Sequence, residues 1–196
     1  NTMFKSLGYN KFYAADNYKS GTEINMGLSD KDFLKQTAAF IKLSPKKSLN
    51  YVITLSSHFS FEIPEKEQTL TLNKNNYTEL TSNYLQAIHY TDAALGEFID
   101  QLKADGLYDD SIIVLYGDHT AKYDKFTSDE GIVDPNTIAG KNVPLIIKLP
   151  GQTTGKISHK ASSHLDIMPT ILNLVGAKVT SPMFGRDLFG DSSPFI

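Results

Sequence analysis

"SIIVLYGDH" (residues 111–119) indicates both the class of fold and a first candidate site. Its apolar run, residues 112–116, does not alternate with polar residues, which is typical of a strand that is covered on both faces. A similar run, residues 51–55, precedes it, and "VPLIIKLPG" (143–151) follows it. The three runs predict strands of one buried sheet.

Helical patterns lie between and around these runs. Ser29 is a favourable N-cap, with Asp32 at the capping-box position, for a helix that ends before Pro45. A longer helix ends at Gly106, and "LDIMPTILNLVGA" (165–177) predicts a last one, with Asp166 near its start and Gly176 at its end. The longer helix has one apolar stripe, formed by Tyr84, Ile88, Thr91, Leu95, Phe98 and Leu102. The order strand, helix, strand predicts an α/β fold with a parallel sheet.

Composition excludes several classes of protein. The chain has 196 residues, 40% of them hydrophobic, which is ordinary for one globular domain. A formal net charge of -3 argues against a nucleic-acid partner. The absence of cysteine excludes disulfides, zinc-thiolate sites and cysteine nucleophiles, so a metal ion would need oxygen and imidazole ligands. No apolar run approaches the roughly 20 residues of a membrane-spanning helix.

Polar residues follow two of the predicted strands. Asp118 and His119 come after the run 112–116, and His58 comes after the run 51–55. Ligands of open α/β sheets bind outside the carboxyl ends of the strands, so parallel strands would bring these residues to one edge. Past Gly117 the backbone can turn and aim Asp118 and His119 at one divalent cation, such as Mn²⁺, Mg²⁺ or Zn²⁺.

Structural roles for the same residues stay open at this point. Asp118 could cap a turn beside a surface His119, and His58 could pack against its aromatic neighbours. Ser56, Ser57 and Thr120 lie near the proposed edge, but none has the sequence context of a nucleophile. His89 is expected to be structural or solvent-facing. The sequence assigns no role to a last group of residues that could contact an anion or remain solvated, namely Lys122, Tyr123, His159 and His164.

The motifs taken together resemble one family. In chain order they are "GLSDKDF" (27–33), "ITLSSHFSF" (53–61), "GLYDDSIIVLYGDH" (106–119), "VPLIIKLPG" (143–151), "DIMPTILNLVGA" (166–177) and "MFGRDLF" (183–189). The "GDH" and "D-x-x-P-T" motifs also occur in sulfatases and alkaline-phosphatase-like enzymes. The whole series, from near residue 3 to near residue 190, resembles the lipoteichoic acid synthase family of phosphoglycerol transferases.

The resemblance implies an alkaline-phosphatase-like α/β/α sandwich with a largely parallel central sheet. It implies that residues 1–196 are the C-terminal portion of one sulfatase-like catalytic domain whose N-terminal part is missing. Matched by position, Asp118 and His119 fall on metal ligands, with Mn²⁺ as the expected ion, and His58 falls on a substrate-binding histidine. The nucleophilic threonine is expected upstream of this chain, so the chain alone is expected to be inactive.

The implied reaction is metal-dependent transfer of glycerol phosphate from phosphatidylglycerol to lipoteichoic acid or another surface glycan. The expected partners are the phosphatidylglycerol head group, a glycolipid or glycan acceptor, and the membrane through the missing part. The expected location is the extracellular face of the cell membrane, or the medium after cleavage. Two alternatives remain: a sulfatase or phosphodiesterase on the same fold, and a non-catalytic module that binds polyanions.

Overall fold

The computed structural model describes residues 2–73, 76–120, 141–178 and 182–191. Four helices and four strands form its regular structure: α1 (Thr2–Ser6), β1 (Glu23–Ile24), β2 (Gly27–Leu28), α2 (Asp30–Lys42), α3 (Glu79–Ala104), β3 (Ile113–Tyr116), β4 (Leu145–Lys148) and α4 (Ile167–Leu174). Short 3₁₀ turns lie at Ala15–Asn17, Glu65–Glu67 and His164–Asp166. Within the described ranges, no helix has both the length and the apolar character needed to cross a membrane.

The first residues of α2 are fixed by side-chain contacts. Ser29 is the N-cap, as predicted, and its hydroxyl accepts a hydrogen bond from the Asp32 N–H. The Asp32 carboxylate does not complete a capping box. It accepts instead from the Thr22 N–H at 2.8 Å, which ties the helix to the segment before β1.

The long helix α3 packs against α2 and supplies much of the core. A core cluster joins Phe61 and Ile63 to Ala87 and Tyr90 of α3, with Ile24 of β1. The predicted apolar stripe is formed in part: Thr91 and Leu102 are buried, whereas Ile88 is 42% exposed and its neighbour Ala87 is fully buried. The predicted helix end is confirmed, and Gly106 follows with a φ of 68°.

The strands differ from the parallel arrangement that the sequence predicts. β3 and β4 pair antiparallel, with Ile113 opposite Lys148 and Tyr116 opposite Leu145. β1 and β2 form a second, two-stranded antiparallel sheet. Apolar runs without alternation fit either direction, so the sequence pattern alone did not determine it.

The run 51–55 forms no strand in the structure. Its last backbone N–H, from Leu55, donates to the Asp30 carboxylate at 2.8 Å rather than to a neighbouring strand. The Asp30 side chain therefore accepts the hydrogen bond that the Leu55 N–H would have donated to a neighbouring strand in a sheet. The predicted βαβ unit is not formed by the described residues.

The chain divides into two compact units, residues 1–151 and 152–196. In the second unit, Asp166 and Thr170 of the "D-x-x-P-T" motif are buried. The Asp166 carboxylate accepts from the backbone N–H groups of Ser163 (2.7 Å) and Arg186 (2.9 Å). The Thr170 hydroxyl accepts from the Leu188 N–H at 3.0 Å. These contacts hold the "MFGRDLF" segment against α4.

The interpretation of residues 1–196 as part of one domain stays a prediction.

Candidate metal and substrate site

Asp118 and His119 lie directly after β3 and are close to one another. The His119 Nε2 atom is 3.8 Å from the Asp118 Oδ2 atom, and the side chains are 71% and 83% exposed, respectively. The His119 backbone N–H also donates to Asp118 Oδ1 at 3.0 Å. The pair presents a carboxylate and an imidazole to solvent within the separation that a shared cation could bridge.

Gly117 sets the backbone path into this pair. A Cβ atom at position 117 would lie 3.1 Å from the Cβ atom of Val143, which is tighter than nearly all real contacts. The Gly117 N–H donates to the Pro144 carbonyl at 3.1 Å, continuing the β3–β4 pairing beyond Tyr116. The close approach of the segment before β4 therefore favours glycine at this position, and a left-handed backbone is not the reason.

The hydrogen bonds of His119 favour metal binding through Nε2. Its Nδ1 atom lies 2.8 Å from the Thr120 carbonyl oxygen. A carbonyl can only accept, so Nδ1 carries the proton and the neutral ring leaves Nε2 with its lone pair. Orientation of a ligating imidazole by a carbonyl is a common arrangement in metal sites.

The donor set fits a divalent cation in part. Asp118 and His119 supply one oxygen ligand and one nitrogen ligand, which suits Mn²⁺, Mg²⁺ or Zn²⁺. Among the described residues, no group of three or more histidines, cysteines, aspartates and glutamates could hold a metal ion. The assignment of these two residues as metal ligands therefore stays a prediction.

Tyr116, the last residue of β3, connects this region to the run 51–55. A hydrogen bond with Tyr51 is the largest cause that raises the pKa of Tyr116 to about 12, followed by burial and by nearby charges that include Asp118. Tyr51 is the first residue of its run, whereas the sequence predicted that the last residues of the run lie near the end of β3. The structure thus brings the run close to β3, but through its beginning.

His58 lies on an exposed turn rather than at the end of a strand. Its backbone N–H donates to the Leu55 carbonyl at 3.0 Å, and its own carbonyl accepts from the Phe61 N–H at 2.9 Å. The His58 Nδ1 atom lies 2.7 Å from the Phe59 carbonyl oxygen, which leaves Nε2 free to accept a hydrogen bond from a ligand in the neutral ring. Its hydrogen bonds join it to neither Asp118 nor His119, and its substrate role stays a prediction.

The remaining candidates separate by exposure. Ser56 is fully buried and its hydroxyl accepts from the Asp30 N–H at 2.9 Å, so it holds backbone and is not presented to a ligand. His89 is exposed, as expected. His159 and His164 are exposed in the second unit, while Lys122 and Tyr123 lie outside the described residues.

Two residues that hold the His58 turn could not be predicted from local patterns. Asp30 is completely buried and contacts residues 55, 56 and 91 through its carboxylate. The Asn25 side-chain amide donates to the carbonyls of Ser56 and His58. Both contacts join residues that are distant in the chain, so no local pattern could have indicated them.

Comparison with known proteins identifies the class. The family model described as "Sulfatase" matches residues 1–177, and the chain belongs to this family. A crystal structure of a protein in the alkaline phosphatase superfamily from Vibrio parahaemolyticus aligns with a TM-score of 0.68 at 24% identity, covering 91% of this chain and 41% of that one. The predicted α/β class and its alkaline-phosphatase-like fold are thereby confirmed.

Within this class, the chain is similar to lipoteichoic acid synthases, which confirms the predicted resemblance. It is 34% identical to the lipoteichoic acid synthase-like protein YvgJ of Bacillus subtilis (strain 168), over 98% of this chain and 33% of the relative. It is 35% identical to lipoteichoic acid synthase of Staphylococcus aureus (strain USA300), over 95% of this chain and 30% of that protein. The crystal structure of the lipoteichoic acid synthase LtaP from Listeria monocytogenes aligns with a TM-score of 0.82 at 28% identity, over 94% of this chain and 48% of that one. The chain thus spans about a third of the length of these curated relatives.

Proposed function

We propose that the whole protein transfers glycerol phosphate from phosphatidylglycerol to a lipoteichoic acid or another glycan or glycolipid acceptor at the extracellular face of the membrane. The observation that carries this proposal is the 34–35% identity to lipoteichoic acid synthases over nearly the whole chain. The exposed Asp118–His119 pair after β3 adds a site whose chemistry suits an anionic phosphodiester with a divalent cation.

The transfer consists of two displacements at phosphorus. In the first, a threonine hydroxyl in the part of the whole protein that precedes residue 1 attacks the phosphodiester, and diacylglycerol leaves with the proton. In the second, an acceptor hydroxyl attacks the phosphorus of the glycerophosphorylated threonine, the bond from phosphorus to the threonine oxygen breaks, and the threonine hydroxyl is regenerated with the proton that the acceptor loses. A covalent intermediate divides one difficult transfer into two easier ones.

Asp118 and His119 are two of the ligands of the proposed divalent cation, with Mn²⁺ as the first choice and Mg²⁺ or Zn²⁺ as alternatives. When bound, such a cation neutralises phosphoryl charge and lowers the pKa of a nearby hydroxyl. His119 contributes the lone pair of Nε2, since its Nδ1–H donates to the Thr120 carbonyl. Asp118 contributes a carboxylate oxygen and one unit of negative charge.

His58 is proposed to bind the glycerol phosphate head group. Its Nε2 atom can accept a hydrogen bond from a glycerol hydroxyl in the neutral ring, or donate one to a phosphoryl oxygen in the charged ring. The carbonyl of Phe59 fixes the ring orientation in both states. This role orients the donor and requires no proton transfer by His58.

Turnover of phosphatidylglycerol by the whole protein tests this function. Glycerol-labelled phosphatidylglycerol is expected to be consumed only with a divalent cation present, and Asp118→Asn is expected to lower turnover at least about a hundredfold because one charged ligand is lost. Asp92→Asn, at an exposed position on α3, is the matched control and should retain full turnover. Full turnover by a folded Asp118→Asn protein would exclude the proposed site.

Hydrolysis is the second candidate, because the matching family model is that of sulfatases. In that case water replaces the glycan hydroxyl in the second displacement. The same residues would bind the metal and the anionic substrate, so substitutions at Asp118 do not separate the two functions. Only the products do, because transfer leaves glycerol phosphate on an acceptor and hydrolysis leaves it free.

A further inference from the structure

The turn that carries His58 is held from two sides by side chains that do not belong to it. On one side, the Asp30 Oδ1 atom accepts the backbone N–H groups of Leu55 at 2.8 Å and Ser56 at 3.1 Å. Asp30 is fully buried, and its other carboxylate oxygen accepts from the Thr91 hydroxyl at 3.0 Å. The beginning of the turn is therefore attached to both α2 and α3.

The attachment to Asp30 is reciprocal. The Asp30 backbone N–H, one of the free donors in the first turn of α2, donates to the Ser56 hydroxyl at 2.9 Å. Ser56 is itself fully buried. Charged hydrogen bonds that are shielded from water are stronger than exposed ones, so residues 55 and 56 have little freedom to move relative to α2.

On the other side, Asn25 holds the carbonyls of the turn. Its side-chain amide donates to the Ser56 carbonyl at 3.4 Å and to the His58 carbonyl at 3.2 Å. Asn25 lies in the tight connection between β1 and β2 and has a φ of 54°, a left-handed conformation that asparagine tolerates better than most residues. Its backbone geometry thus aims the amide at the turn.

The segment after His58 is also fixed. The ring of Phe61 is 2% exposed and packs in the core beside Ile24, the residue before Asn25. Phe61 has a φ of 67°, where a bulky aromatic residue is rarely found. The imidazole of His58 therefore projects from a turn whose two ends are anchored in the core, while the ring itself remains exposed.

We propose that Asn25 and Asp30 are positioning residues for His58. They hold the turn in one conformation, so that the His58 imidazole loses little conformational freedom when it binds the glycerol phosphate head group. The inference rests on the proposed function, because it takes His58 as a head-group ligand. A ligand group that is held in its bound geometry costs less entropy when the complex forms. Neither residue contacts the substrate in this role, and both act through His58.

Asn25 offers the cleaner test, because it is exposed whereas Asp30 supports the fold. Asn25→Gly keeps the left-handed backbone and removes only the amide. Lys47→Gly is the matched control, since Lys47 is also exposed and left-handed, with a φ of 65°, and lies outside the turn. The whole protein is used, and hydrogen exchange of residues 55–61 is measured together with KM and kcat for phosphatidylglycerol at saturating Mn²⁺.

Asn25→Gly is expected to raise the exchange rate of the His58 and Phe61 amides about threefold or more. We expect KM to rise about three- to tenfold, the range that corresponds to loss of one ordinary hydrogen bond, with a smaller change in kcat. Lys47→Gly should change neither quantity. In the double variant Asn25→Gly/His58→Ala, KM should equal that of His58→Ala alone, because Asn25 acts through His58.

Two results would overturn the proposal in different ways. If His58→Ala raises KM and Asn25→Gly does not, or if the two effects are additive, Asn25 does not position His58 while the function of His58 stands. If His58→Ala leaves KM unchanged, the head-group role of His58 fails, and the positioning role fails with it.

Discussion

At the level of single residues, buried carboxylates in this protein hold backbone N–H groups of segments that are distant in the sequence, which local sequence patterns do not indicate. Ser29 could be predicted as an N-cap because its partner lies three residues away. Asp30, the next residue, could not be predicted as an anchor, because its acceptor role depends on Leu55 and Ser56. Such contacts are determined by how α2 meets the following loop, which no local pattern records.

Asp30→Ala is expected to destabilise the fold by about 3 to 5 kcal/mol. The substitution leaves one buried and one partly buried backbone N–H group and one hydroxyl without their acceptor, and each unsatisfied buried group costs about 1–3 kcal/mol. Thr91→Val removes only one of these hydrogen bonds and is expected to cost about 1 kcal/mol. Equilibrium unfolding in urea compares the two, and equal losses would contradict the anchoring role of Asp30.

The pair Asp118 and His119 was predicted from the motif and its place after a strand, and the structure brings the two side chains within 3.8 Å. The run 51–55 forms no strand, so the common sheet edge predicted for His58 is not formed, and its link to the pair stays a prediction. Tyr51, at the start of the run, interacts with Tyr116 at the end of β3. Spacing along the chain could indicate neighbours in sequence, but the path of the run 51–58 depends on Asp30 and Asn25.

At the scale of secondary structure, the helices were predictable and the sheet was not. N-caps, periodic apolar residues and terminal glycines are local features, and α2, α3 and α4 lie close to where they were expected. Strand direction depends on partners that are distant in sequence. β3 and β4 therefore pair antiparallel although their composition resembles that of parallel strands.

The face that α3 buries can be tested at two adjacent positions. Ala87 is fully buried, and Ala87→Leu is expected to destabilise the protein by about 1–3 kcal/mol because the added atoms have no space. Ile88 is 42% exposed, and Ile88→Ala should cost less than about 1 kcal/mol. Thermal unfolding followed by circular dichroism measures both changes. A larger loss of stability for Ile88→Ala than for Ala87→Leu would show that α3 buries the face predicted from the sequence.

Asp166, before α4, gives stability that depends on pH. Burial alone would raise the pKa of Asp166, but hydrogen bonds from the Arg186 and Ser163 backbone N–H groups and the Arg186 charge outweigh it and hold the pKa below its usual value. A depressed carboxyl pKa stabilises the folded state above the unfolded pKa of about 4, and this contribution is lost as the pH falls through the folded pKa.

The stability difference between the wild type and Asp166→Asn should therefore be largest near neutral pH. It should narrow as the pH falls below about 4, where the carboxyl group of the unfolded chain binds a proton, and be smallest once the folded carboxyl group is also protonated and neutral like the amide. Thermal melts from pH 2 to pH 7 measure this difference. Asp191→Asn, at an exposed position of the same unit, serves as the control for a general change in charge. A difference that does not vary with pH would show that the charge of Asp166 is unimportant.

At the scale of the whole molecule, the order of motifs along the chain was more informative than any single motif. "GDH" and "D-x-x-P-T" occur across a broad superfamily, and in this structure the Asp and Thr of the second motif hold backbone groups. The series as a whole indicated lipoteichoic acid synthases, in agreement with a TM-score of 0.82 to LtaP from Listeria monocytogenes. The chain spans about a third of the length of its curated relatives, and the complete reaction is a proposal for the whole protein.

The fate of the glycerol phosphate group distinguishes transfer to an acceptor from hydrolysis. The whole protein is incubated with Mn²⁺, phosphatidylglycerol labelled in its head-group glycerol, and a glycolipid acceptor, and the label is divided into acceptor-bound and free glycerol phosphate. We expect most of the label on the acceptor, and no label there when Asp118→Asn replaces the wild type. Label that appears mainly as free glycerol phosphate, in the same amount with and without acceptor, would contradict the transferase and identify a hydrolase.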